Sequence, residues 1–220
     1  MNKKQFPQKE DLLDAIMKGL LTAKENFSLW CGEKLYLSYA PANFLTIHVA
    51  QEIAKVEEFP EIFIDASISE TLKYGLPSTE EYKSFMQKFA ISDRIFSLTL
   101  DERFDHETKQ DSIARAIISV KNGVRNLKDE YINDIESMSK VISHSKMDYA
   151  IFAFYLDISD SARIKAETRI TEIINEFNTV TGEYENLNSY FIGGDVNIIE
   201  NIGEWSIGCY VIEKNNKEEK

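Results

Sequence analysis

The sequence has few residues that bind metals or form disulfides, and no stretch suited to a membrane. Its 220 residues include only two cysteines, Cys31 and Cys209, and three histidines. Two cysteines far apart in the chain exclude a disulfide framework and a four-ligand zinc site. No apolar run approaches the roughly 20 residues of a membrane-spanning helix. The first residues, MNKKQFPQKEDLLDAIM, do not resemble a secretory signal. We therefore expect a reduced, cytoplasmic protein with no membrane partner.

Basic residues are also in deficit. The chain carries 25 Lys and Arg against 37 Asp and Glu, a formal net charge of −12. Proteins with broad affinity for nucleic acid usually have a basic excess, because Lys and Arg displace the counterions of phosphates. The charge argues against broad DNA binding and leaves room for a local basic patch. Its simplest role is to keep the protein soluble.

Proline is confined to the first third of the chain, at Pro7, Pro41, Pro60 and Pro77, which predicts uninterrupted elements afterwards. Apolar residues three and four apart predict helices over about 8–26, 43–56, 78–89, 126–145 and 160–179. Apolar or alternating runs predict strands at about 61–66, 94–100, 115–121, 149–156, 189–199 and 204–212. The pair Gly193-Gly194 indicates a bulge or tight turn in one of these strands. The order predicts an α/β fold (α+β, with a mixed sheet).

The chain divides by composition into three parts. We assign residues 1–27 to an N-terminal helix, 28–213 to a single α/β domain, and 214–220 to a polar tail that should be frayed. The helix has a long apolar stripe. We therefore expect it to pack on the domain or on a partner.

Three segments carry a resemblance to a known family: YAPANFLTIHVAQEIAK at 39–55, AIISVKNGV at 116–124 and DYAIFAFYL at 148–156. They resemble the opening helix, the glutamate-X-lysine strand and the strand after the core helix of the PD-(D/E)XK nuclease-like superfamily. The resemblance implies a restriction-endonuclease-like core of helix, three strands, helix and strand within residues 28–213. The N-terminal helix and a C-terminal helix with hairpin are additions to that core. It also implies a role in restriction, repair or defence against mobile DNA.

The resemblance implies specific site residues as well. Nucleases of this superfamily hold Mg²⁺ with an aspartate and a glutamate on adjacent strands, and a lysine two residues after the glutamate faces the same side. Lys121 occupies the lysine position and Ser119 the glutamate position, while Phe96 or Ser97 stands where the aspartate belongs. A serine hydroxyl lacks the charge that a hard divalent cation requires. We therefore expect a vestigial motif of Ser119 and Lys121, with no catalytic set and no cofactor.

A displaced set of carboxylates is the alternative. An active enzyme would recruit Mg²⁺ through Asp101 and Asp105 before the motif strand and Asp129 after it. It would then be a metal-dependent DNA endonuclease with migrated carboxylates. The plainer interpretation of these acids is a solvated loop and an exposed helix face.

The one local basic cluster surrounds the Asn122-Gly123 turn and consists of Lys121, Arg125 and Lys128. These residues are candidates for contact with a nucleic-acid backbone. Their alternative role is to neutralise the acids that follow them on the predicted helix.

The sequence thus predicts a catalytically degenerate nuclease-like protein, acting as a binding or structural subunit in a bacterial system that handles foreign or damaged DNA. A protein partner or a homo-oligomer is expected, because 13 Phe and 10 Tyr supply the aromatic surface that interfaces favour. A small-molecule or acidic regulatory protein that shares only the element order is a third hypothesis.

Overall fold

The computed structural model describes residues 6–32, 34–75, 78–89, 95–102 and 113–215. Within them the helices are α1 (Lys9–Cys31), α2 (Phe44–Ile53), α3 (Ile68–Gly75), α4 (Thr79–Phe89), α5 (Asp129–His144) and α6 (Ala166–Thr181), with a 3-10 turn at Leu37–Tyr39. The strands are β1 (Glu61–Ser67), β2 (Ile95–Asp101), β3 (Ala114–Asn122), β4 (Tyr149–Ser159), β5 (Leu187–Gly193), β6 (Asn197–Ile199) and β7 (Gly203–Lys214). The prediction of a mixed α/β fold is confirmed.

The strands form one mixed sheet in the order β1-β2-β3-β4-β7-β5, with β6 also paired to β7. Strands β3 and β4 are parallel, and the other neighbours are antiparallel. A parallel pair needs a crossover, which α5 supplies. Leu98 lies opposite Ile118, so the prediction that 94–100 and 115–121 are neighbours is confirmed.

One face of the sheet is covered by α1 and α2. Leu12, Ile16 and Leu20 of α1 form a single buried cluster with Val49 of α2 and Ile151 of β4. The expectation that the N-terminal helix packs on the domain is met. The helix is also longer than predicted, continuing to Cys31, so a boundary at residue 27 falls inside it.

The other face is covered by α5 and α6. Phe152 and Phe154 of β4 are buried there against Ile135, Met138 and Phe177. Successive side chains of a strand point to opposite faces, so a strand at the centre of three layers is apolar throughout. The unbroken apolar run YAIFAFYL at 149–156 predicts a strand that is buried on both faces, and this is confirmed.

The spacing of apolar residues does not predict α3, because this helix is only two turns long. Its signal was a capping box: the backbone N–H of Glu70 donates to Ser67 Oγ at 3.2 Å. The next helix, α4, begins with the same signal: the N–H of Glu81 donates to Ser78 Oγ at 3.1 Å. Short helices give weak periodicity, so the cap is the better indicator.

The strand predicted over 189–199 is divided into β5 and β6 by a bulge. On one side Gly193 lies opposite Gly208, and on the other Asn197 lies opposite Trp205. Three residues, 194–196, therefore face two residues of β7, which is the one-residue excess that defines a β-bulge. The bulge indicated by the glycine pair is confirmed.

Candidate functional site around Lys121

Ser119 and Lys121 lie on the α5 side of β3, as their two-residue spacing predicts. On α5, Glu130 and Asp134 are one turn apart and share a face. Lys121 Nζ lies 2.7 Å from Glu130 Oε1 and 2.9 Å from Asp134 Oδ2. Ser119 Oγ donates a 2.9 Å hydrogen bond to the same oxygen of Asp134. We call these four residues the Lys121 cluster.

The cluster is partly buried, and the positive charge of Lys121 is balanced by the carboxylates of Glu130 and Asp134. Ser119 is buried, and 21% of the Lys121 side chain is exposed. Burial lowers the pKa of Lys121, but its hydrogen bonds to Glu130 and Asp134 more than compensate, so the net pKa lies above its usual value. Lys121 is therefore a firmly held cation whose nearest anions come from its own chain.

The acids that meet Lys121 are those that the basic cluster was expected to neutralise, and not the ligands considered for a displaced metal site. Asp129 is exposed in the first turn of α5. Asp101 pairs with Ala114, seven residues from Lys121 along β3, a separation of about 23 Å. Asp105 lies outside the described residues. The alternative metal site does not include Asp101 beside Lys121, because β2 pairs Asp101 with the start of β3, at the far end of that strand from Lys121.

Glu130 and Asp134 were expected only as acids that balance the basic cluster, but their convergence on Lys121 also had a usable signal in the sequence. They are four residues apart on a predicted helix that follows the motif strand through a short turn. Residues so spaced share a helix face, and a helix that crosses back over the sheet turns one face toward the strand. Which face it turns depends on the packing of Ile135 and Met138 against the sheet.

Ser97, one candidate for the missing aspartate position, has a structural role. Its Oγ accepts a 2.9 Å hydrogen bond from the backbone N–H of Val120. This bond joins β2 to β3 near the Lys121 cluster. The other candidate, Phe96, is buried in the core beneath α5.

The basic cluster is largely neutralised inside the chain. Arg125 Nε pairs with Oδ1 of the fully buried Asp157, and its guanidinium also donates to Ser38 Oγ at 2.9 Å. The hydrogen bond to Asp157 raises the pKa of Arg125. Lys128 Nζ lies 5.4 Å from the ring centroid of Tyr131. The positive charge left for a phosphate backbone is therefore smaller than the sequence count.

The turn that carries these cations is held by a close approach. Gly123 has a φ of 71°, and a Cβ there would lie 2.8 Å from Ser38 Cβ. Asn122 Nδ2 donates a 3.0 Å hydrogen bond to the carbonyl of Leu37. Only glycine meets both the conformation and the space at this position. The turn is thus fixed against the segment between α1 and α2.

In the described part of the chain, no group of three or more His, Cys, Asp and Glu side chains is arranged to hold a metal ion. No helix among the described residues is long and apolar enough to cross a membrane. Comparison with known proteins gave no match to a family model, a curated protein or a solved structure. Function must therefore be argued from the geometry of the site.

Proposed function

We propose that the chain is a catalytically degenerate nuclease-like protein that acts as a binding or structural subunit. The observation that carries the proposal is the Lys121 cluster, in which the lysine is paired with helix acids and a serine stands where the resemblance places a metal-binding glutamate. The resemblance supplies the biological context of a cytoplasmic bacterial system that handles foreign or damaged DNA.

The sheet order supports the nuclease-like part of the proposal. After α2, the strands β1, β2 and β3 follow one another as antiparallel neighbours, and α5 then leads to β4 parallel to β3. Apart from α3 and α4, which lie between β1 and β2 along the chain, this order agrees with the helix, three strands, helix and strand that the resemblance implies. The motif positions, Ser119 and Lys121, lie near the end of β3.

The cluster supports the loss of catalysis for a chemical reason. A metal-dependent nuclease needs carboxylate oxygens available to the ion and a lysine directed at the reacting phosphate. Here Lys121 donates to Glu130 and Asp134, and Asp134 also accepts from Ser119. Ser97 is engaged with the backbone of Val120. The groups that would do the chemistry hold the fold together instead.

A protein partner or a second copy of the chain fits the described surface better than nucleic acid does. Lys121 and Arg125 are paired internally, and the chain has a net charge of −12. Large apolar side chains are exposed at the end of α1 and in the segment after it, with Leu29 79%, Trp30 68% and Tyr39 66% exposed. Exposed aromatic residues are typical of interface hot spots.

An active Mg²⁺-dependent endonuclease is the second candidate. Glu130 and Asp134 favour it, because two helix-borne carboxylates do converge on Lys121. In that case they would be the migrated ligands, and Mg²⁺ would separate them from the lysine. Asp134 would then replace Asp129 in the ligand set considered from the sequence.

A nuclease assay with matched variants separates the two candidates. The purified chain is incubated with double- and single-stranded DNA and Mg²⁺ or Mn²⁺, and we expect no cleavage. Cleavage that is lost in both Lys121→Ala and Asp134→Asn, and retained in Glu136→Gln on the same helix, would establish the enzyme. Light scattering over a range of concentrations, with Trp30→Ala as the variant, tests self-association in the same preparation.

A further inference from the structure

A cavity of about 570 Å³ lies between α6 and the end of β5, away from the Lys121 cluster. Its apolar walls are Ile170 and Ile174 of α6 and Phe191 of β5. The ring of Phe191 stacks on Phe154 with a centroid distance of 5.9 Å and an interplanar angle of 14°. This stacking holds the ring against the sheet. The volume lies within the range of about 300–1,000 Å³ for ligand-binding clefts.

The floor of the cavity depends on glycine. A Cβ on Gly193 would lie 2.6 Å from the Phe191 ring, and one on Gly208 would lie 2.4 Å from it. The ring therefore covers the backbone of two paired glycines. A side chain at either position would push the ring out into the cavity.

The cavity borders an edge of the sheet. Among the described residues, β5 has β7 on one side and no strand on the other. Exposed apolar side chains follow this edge through the bulge and β6, with Ile192 36%, Val196 39% and Ile198 78% exposed. An open edge with apolar side chains is a template for an added strand.

The charged side chains that are described in the lining of the cavity are both acidic. Glu167 at the start of α6 and Asp195 in the bulge both line it, and none of the described Lys and Arg residues does. Both residues are exposed. The bulge places Asp195 there, because the extra residue re-aims the side chains around it. The cavity therefore favours a cation and disfavours phosphates and other anions.

We propose that the outer edge of β5 binds an extended basic peptide of a protein partner as an added strand. Its apolar side chains lie against Ile170, Ile174 and Phe191, and its Lys or Arg side chains pair with Glu167 and Asp195. The proposal rests on the binding role assigned above, and not on the nuclease-like fold, since none of its residues belongs to the Lys121 cluster.

Fluorescence polarisation tests the proposal with a labelled peptide in which lysine and valine alternate along one face of the strand, with threonine at every position between them. We expect saturable binding to the full chain that weakens about tenfold or more in the double variant Glu167→Gln, Asp195→Asn. The double variant Glu25→Gln, Glu57→Gln changes the net charge equally at exposed positions away from the cavity and from the β5 edge, and it should bind like the wild type. The same peptide with glutamate in place of every lysine should not bind.

Three results would overturn the proposal. The first is the absence of saturable binding. The second is equal weakening in both double variants, which would reduce the effect to the overall charge of the protein. The third is unchanged affinity for the lysine and valine peptide N-methylated at every residue, since methylation removes the N–H groups that pair with a strand. DNA cleavage by the wild type would overturn the degenerate assignment while leaving this result intact.

Discussion

Lys121 Nζ lies 2.9 Å from Asp134 Oδ2, so an ion pair joins β3 to the helix that follows it. The same carboxylate oxygen accepts a hydrogen bond from the buried Ser119 hydroxyl. Asp134 thus satisfies two groups at once. Its removal would leave both the hydroxyl and part of the ammonium without a partner.

We expect Asp134→Ala to lower the free energy of unfolding by about 1–3 kcal/mol, the usual cost of leaving partly buried polar groups unpaired. Urea denaturation monitored by circular dichroism measures it. Glu136→Ala is the control, because it removes the i,i+4 pair with Lys140 on the same helix. That pair should contribute no more than about 0.5 kcal/mol. Equal losses in the two variants would contradict the role assigned to Asp134.

At Gly19 the backbones of α1 and α2 are in close contact. A Cβ there would lie 2.6 Å from Val49 Cα and 3.0 Å from the carbonyl oxygen of His48. We expect Gly19→Ala to destabilise the protein by about 1–3 kcal/mol, because the helices must separate. The better helix propensity of alanine returns only about 1 kcal/mol. Thermal unfolding measures the change.

The control for Gly19→Ala is Glu25→Ala, an exposed position on the same helix. Its melting temperature should stay close to that of the wild type, since surface substitutions usually change stability by no more than about 0.5 kcal/mol. A higher melting temperature for Gly19→Ala would show that the two helices have room for a methyl group.

We expect Tyr149 to make the free energy of unfolding decrease at alkaline pH. Burial raises its pKa above the ordinary tyrosine value. The folded chain then retains the proton while the unfolded chain loses it near pH 10. The free energy of unfolding is therefore unaffected by the ionisation of this group below that pH, and above it the free energy of unfolding falls by about 1.4 kcal/mol per pH unit. Burial raises the pKa of Cys209 as well, so the thiol acts in the same direction.

Tyr149→Phe should therefore make the alkaline decline of unfolding free energy shallower. At neutral pH it should stabilise the chain by about 1 kcal/mol, because the Tyr149 hydroxyl is buried with no hydrogen-bond partner among the described residues. Urea denaturation between pH 7 and about 11 measures both effects. The matched variant is Tyr39→Phe, at a ring that is 66% exposed. An equal change of slope in the two variants would refute the assignment to Tyr149.

Local pattern alone was enough to place most helices and strands, and to put Ser119 and Lys121 on one face of β3. The reason is that periodicity is a property of consecutive residues: a strand repeats every two residues and a helix every three or four. The same argument predicts that β4 is covered on both faces, since it is apolar almost throughout.

The partners of the charged side chains were decided only by the tertiary structure. Arg125 meets Asp157, 32 positions away, and Asp134 rather than Asp129 meets Lys121. Periodicity states which face a residue shares with its neighbours, but not which face another element presents to it. That choice follows from how α5 packs over the sheet and from the parallel pairing of β3 with β4, because long-range packing sets both.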